Sequence, residues 1–98
     1  MPRIRTHPGE ILREEFLRPL GLSANALAIA LRVPTTRIGA IMRERNPRAV
    51  TADTALRLGR YFGTGPEFWM NLQAAYDLSV ARAAQGRKIE ADIQPHAA

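Results

Sequence analysis

The stretch SANALAIALRVPTTRIGAIMR, residues 23–43, decides the fold. Ser23 is a helix N-cap residue, because its hydroxyl can accept from the unpaired N–H groups of a first turn. The helix it opens reaches Leu31, with Leu27, Ala30 and Leu31 on its inner face and the small Ala28 where a neighbouring helix must touch. A tight turn falls at Arg32-Val33. Pro34 then opens a second helix, Thr35 to about Arg43, whose inner positions are Ile38, Ile41 and Met42.

Outward from this stretch the chain reads as helix with stop signals at short intervals. His7-Pro8-Gly9-Glu10 starts a helix with proline in its first turn and an acid at its positive end. Leu12, Phe16 and Leu17 form its apolar stripe, and Pro19 with Gly21 ends it. Thr51 caps a helix over Ala52–Phe62 carrying Ala55, Leu58, Gly59 and Phe62 at helical spacing, and Gly63 closes it. Thr64-Gly65-Pro66-Glu67 reads as a capping box for a last helix running to about Gln85, with Gly86 as its end. Its stripe is Phe68, Leu72, Ala75, Tyr76, Val80 and Ala83. Beyond it, Ile89, Ala91 and Ile93 alternate with polar residues, a period of two that predicts a short strand. Such a strand must pair with another edge or fray. The expected organisation is therefore an arm at 1–6, one all-α five-helix domain at 7–86 and a tail at 87–98.

Ninety-eight residues hold one compact domain, and 46% hydrophobic with 23% charged residues is the make-up of a folded chain. The longest apolar run is Ala26–Leu31, too short to span a bilayer, and Glu10 and Arg13 interrupt any leader-like segment, so a cytoplasmic location is expected. The absence of cysteine excludes disulfides and thiol chemistry. No metal or cofactor is expected. Glu14 and Glu15 are adjacent and face different sides of a helix, no Ser, His and acid spacing suggests a triad, and the glycines are scattered rather than gathered in a phosphate loop. An enzyme is not the reading.

The net charge of +5 is concentrated. Residues 1–48 hold nine arginines against four acids, whereas residues 49–98 balance five against five. Arginine supplies all the basic residues but one, and its planar fork suits phosphates and guanine edges. Two short helices joined by a tight turn, the second basic, are the elements of a helix-turn-helix. In that geometry Thr35, Thr36 and Arg37 meet base edges, and Gly39 and Ala40 face the groove one turn later. Ser23 and Asn25 are placed for phosphate. Arg43, Arg45 and Arg48 form a basic loop that either grips phosphate or is simply solvated. Arg37 reads guanine, or contacts phosphate, or pairs within its own helix. Thr35 and Thr36 touch DNA or cap their helix locally. His7 reads as a helix-start residue, and Trp69 with Phe68 and Tyr76 as packing.

The chain resembles the HigA-type antitoxins, also known as virulence-associated protein I, within the Cro and phage-repressor (XRE) group. The resemblance covers roughly residues 5–82. It rests on His7-Pro8-Gly9-Glu10-Ile11-Leu12, Leu22-Ser23, Asn25-Ala26-Leu27-Ala28, Thr51-Ala52-Asp53-Thr54-Ala55-Leu56-Arg57-Leu58, Tyr61-Phe62-Gly63-Thr64, Pro66-Glu67-Phe68-Trp69 and Asn71-Leu72-Gln73. It implies a five-helix lambda-repressor-like domain that binds double-stranded operator DNA with an inverted repeat as a homodimer. It also implies neutralisation of a small RelE-like ribonuclease toxin. Tyr76, Val80, Ala83, Ile89 and Ile93 are the candidate dimer contacts. The chain departs from the family at Ala24, where Gln is usual, at Arg32, where Gly is common, and in a longer, more basic loop over 43–48. A stand-alone repressor without a toxin, or a module binding RNA or an acidic partner, are the other readings.

Overall fold

The computed structural model describes residues 3–97 and contains five helices and no strand among them. Helix α1 is composite: an α turn over Pro8–Ile11, a π segment over Leu12–Leu17 and a last α turn over Arg18–Leu20. Helices α2 (Ala24–Leu31), α3 (Thr35–Ile41), α4 (Ala52–Phe62) and α5 (Pro66–Asp92) follow. None of these helices is long and apolar enough to cross a membrane.

The helix starts follow from their caps. His7 accepts from the Gly9 N–H through Nδ1 at 2.9 Å. Ser23 accepts from Ala26 N–H at 3.0 Å, and Thr51 from Thr54 N–H. The π segment was not legible in the sequence. A proline ring at position 19 would crowd the carbonyl four residues back, at Glu15, and supplies no N–H to it. The wider turn, in which Arg18 N–H reaches back to the Arg13 carbonyl, accommodates this. Gly21, at φ 62°, then ends α1, and Leu22 N–H closes the turn on the Leu17 carbonyl at 2.9 Å.

One core joins all five helices: Leu12, Leu17, Leu27, Ala28, Leu31, Ile38, Ile41, Val50, Ala55, Leu58 and Trp69. Leu27 and Leu31 are buried as the spacing predicts, but Ala30 is exposed and Ala28 takes the inner position beside them. In α5 the inward stripe is offset from the predicted one. Trp69 and Gln73 are buried, while Phe68, Val80 and Ala83 are exposed.

Two readings of the C-terminal half are corrected. Thr64 does not cap α5; Gly65 is the N-cap and no side chain bonds there. The Thr64 hydroxyl instead donates to the Gly65 carbonyl and accepts from the buried Trp69 indole N–H at 2.9 Å. Nor does α5 stop at Gly86. It continues to Asp92, so the strand predicted over 89–93 is absent and Ile93 alone is extended. Ile89 and Ile93 satisfy i, i+4 as well as alternation, and Arg87, Lys88, Glu90 and Ala91 all propagate a helix. A Lys88–Asp92 ion pair at i, i+4 supports the last turn.

Burial pushes the His7 pKa below its ordinary 6.5, with Asp77 pulling the other way. Protonation at Nδ1 would remove the acceptor that caps α1. Because the folded pKa lies below the unfolded one, the unfolded chain takes up the proton first. Stability is then complete above about pH 6.5 and is lost as pH falls toward the folded value. The urea midpoint should therefore decline between pH 7 and 5.5. His7→Asn, which can still cap but does not titrate there, should flatten that decline. An unchanged slope in the variant would assign the dependence elsewhere.

Candidate nucleic-acid interface

Helices α2 and α3 meet through Ala28, Leu31, Ile38 and Ile41, all buried. The turn between them is left-handed at Arg32, with φ 63° and ψ 43°. Arg32 and Val33 N–H groups return to the Ile29 and Ala28 carbonyls at 3.2 and 3.0 Å, which closes α2 tightly enough for α3 to cross it. An arginine held at positive φ costs about 1 kcal/mol against glycine. Arg32→Gly should raise the melting temperature by a few degrees, measured by circular dichroism. No rise would mean that the arginine side chain offsets its own backbone cost.

At about 100° per residue, the side of α3 opposite Ile38 and Ile41 carries Thr36, Gly39 and Ala40, with Arg43 just beyond the helix end. A Cβ built on Gly39 meets nothing within 4 Å, so its smallness serves no packing inside the protein. Thr36 and Arg43 are exposed.

Of the other predicted contact residues, Ser23, Asn25, Thr35 and Arg37 are engaged within the protein. The Thr35 hydroxyl donates to Asn25 Oδ1 at 2.7 Å, tying the start of α3 to the start of α2. Arg37 lies on the flank of α3, and its Nη1 donates to Asp53 Oδ2 at 2.7 Å. Arg57 Nε donates to the same oxygen at 3.0 Å, and Arg57 Nη1 donates to the Leu31 carbonyl at 2.8 Å. The hydrogen bonds from Arg57 and Arg37 hold the Asp53 carboxyl below the usual carboxylate range. The partner of Arg37 thus lies on α4, not within its own helix as the pairing alternative had it. Asp53 and Arg57 went unmarked in the sequence as site residues. Their i, i+4 spacing at the start of α4 was the available signal.

The loop after α3 is built rather than slack. Arg13 Nη1 donates to the Met42 carbonyl at 2.7 Å, and Arg48 N–H donates to the Ala40 carbonyl at 2.9 Å. Arg43 Nη2 reaches the Asn46 carbonyl at 3.3 Å, and Asn46 turns the chain at φ 50°. Val50 N–H donates to Gln73 Oε1 at 2.7 Å in the core, while Gln73 Nε2 donates to Asp77 Oδ1. The side chains of Arg43, Arg45 and Arg48 are thus carried on a fixed backbone at the solvent edge beside α3.

The five candidate dimer contacts do not share one surface. Tyr76 is half-buried, its ring 4.8 Å from the His7 ring and edge-on to it. Val80 and Ala83 continue that side of α5. Ile89 lies about half a turn away around the helix from Val80, near the exposed Leu78, with Ile93 following it.

This architecture, a helix pair crossed through a closed turn with one bare face of the second helix, is that of a helix-turn-helix regulator. No protein-family model matches the chain. It is 62% identical over 81 residues to virulence-associated protein I of Dichelobacter nodosus, covering 83% of this chain and 71% of that protein. An addiction module antidote protein of the HigA family from Coxiella burnetii superposes with a TM-score of 0.88 at 50% identity, covering 96% of this chain and all of the other. The Pseudomonas aeruginosa antitoxin HigA, solved with the higBA promoter, gives a TM-score of 0.88 at 48% identity, covering 99% of this chain and 100% of that one. The chain belongs to the HigA family of helix-turn-helix antitoxins, regulators rather than enzymes.

Proposed function

We propose that the chain is a sequence-specific DNA-binding antitoxin, which represses its own operon as a dimer and neutralises a small RelE-like ribonuclease in the cytoplasm. The observation that carries this reading is the outward face of α3, built of small residues at Gly39 and Ala40, open to an added Cβ at Gly39, and flanked by an arginine-bearing loop. A second copy would place two such helices about 34 Å apart, or a multiple of that, on an inverted repeat. Residues 7–86 form the DNA-binding and dimerisation body. Thr36, Gly39, Ala40 and Arg43 face the bases. Arg45 and Arg48 meet phosphate, and Ser23, Asn25 and Thr35 hold the start of the motif against the backbone. Arg37 acts through its bond to Asp53.

Two measurements test this. Duplexes carrying the inverted repeat should bind far more tightly than scrambled ones at physiological salt. Arg45→Ala or Arg48→Ala should weaken all duplexes alike and reduce the salt slope by about one each. Co-expression with the neighbouring genes should yield a stoichiometric small basic partner that arrests growth when expressed alone. A homodimer with a harmless neighbour would leave the stand-alone repressor; a chain that binds duplexes without preference would remove both.

A further inference from the structure

The recognition face has an unusual balance of chemistry. Of the polar groups on α3, the Thr35 hydroxyl is committed to Asn25 at 2.7 Å. The Arg37 guanidinium is committed to Asp53, which Arg57 also holds. What remains outward on α3 is exposed Thr36, half-buried Ala40 and Gly39, where a Cβ would meet nothing within 4 Å. This surface offers two methyl groups and one free hydroxyl, and space for a close neighbour between them. In the major groove the apolar feature that distinguishes a base pair is the thymine 5-methyl group, which alanine and threonine methyls contact.

We propose that α3 reads thymine 5-methyl groups in each operator half-site, through the methyls of Thr36 and Ala40, one turn apart on the side of α3 where the half-buried Gly39 adds no side chain. The inference rests on the DNA-binding reading above and adds to it the chemical group recognised. It also accounts for small residues at 39 and 40, inside the helix: the methyls must approach the base edge directly, which a bulky residue at position 39 would hinder.

The test uses the full chain and duplexes that it enriches from a random pool. Thymines in the enriched sequence are replaced one at a time by deoxyuridine, which removes the methyl and leaves the pairing edge unchanged. At the contacted positions the Kd should rise about three- to fivefold per methyl lost, as expected for one buried methyl. Thr36→Ser keeps the hydroxyl and removes the methyl, and should make one of those positions indifferent to deoxyuridine while the other remains sensitive. Ala40→Gly should do the converse. The readout is a ratio within each variant, so a general loss of affinity does not imitate it. Deoxyuridine tolerated at every position, or the same penalties in wild type and both variants, would overturn the methyl reading and leave DNA binding standing. Enrichment without any consensus would overturn both.

Discussion

Replacing Gly9 with alanine should cost about 3 kcal/mol or more and lower the melting temperature by roughly 15 °C or more. A Cβ at this position would lie 1.9 Å from the Ile41 carbonyl oxygen and 2.8 Å from its carbon. Neither is a side chain that can swing away. Both belong to the backbone at the end of α3, whose Ile41 side chain is buried in the core. Helix α1 must therefore back off from the end of α3, loosening the core to which Leu12, Ile38 and Ile41 all belong. Ordinary overpacking of side chains costs about 1–3 kcal/mol, and a backbone obstruction lies at or above the top of that range. A domain of this size holds only about 5–15 kcal/mol in total, so the loss approaches unfolding. Thermal melts followed at 222 nm decide the matter. A midpoint within two or three degrees of wild type would mean that α1 and α3 slide past one another freely, contrary to the packing described.

That glycine was visible in the sequence only as part of a helix-start signal, and the contrast is general in this chain. Signals closed within one turn were legible. Ser23 and Thr51 cap as their chemistry requires, and α2 and α4 have the predicted bounds. The core faces of α3 and α4 follow the apolar spacing, with Ile38, Ile41, Ala55 and Leu58 all buried. Features that depend on a partner far along the chain were not. Thr64 fits a capping box locally, yet Trp69 claims its hydroxyl. Gln73 falls outside the predicted apolar stripe, but it is the internal acceptor for Val50 N–H. Ile89 and Ile93 satisfy two periodicities at once, and only the helix-forming residues between them decide for α5. The candidate site shows the same division. Residue types on α3 were enough to mark the face, whereas the distinction between Thr36, free, and Arg37, bonded to Asp53, needed the position of α4.

Gly39→Leu should separate stability from function at that face. Glycine inside an exposed helix is worth about 0.5–1 kcal/mol less than a good helix former. Nothing stands within 4 Å of a Cβ at Gly39, so the new side chain starts into open space. The variant should melt a few degrees above wild type. Its isobutyl group, however, would project from the surface that has to enter the major groove, and would hold the helix away from the base edges. One disturbed base pair typically costs about 1–3 kcal/mol in a protein–DNA complex. Exclusion of α3 from both half-sites should therefore lower operator affinity on the order of 100-fold or more. The salt-dependent binding to unrelated duplexes, which rests on the arginines, should survive because their backbone anchors are untouched. Fluorescence anisotropy on specific and scrambled duplexes, beside a melt of the same preparation, gives both numbers. A more stable protein with collapsed specificity identifies position 39 as the point of closest approach to DNA. Retained operator affinity would place the docking surface elsewhere on the molecule, and the bare face of α3 would then need a different partner.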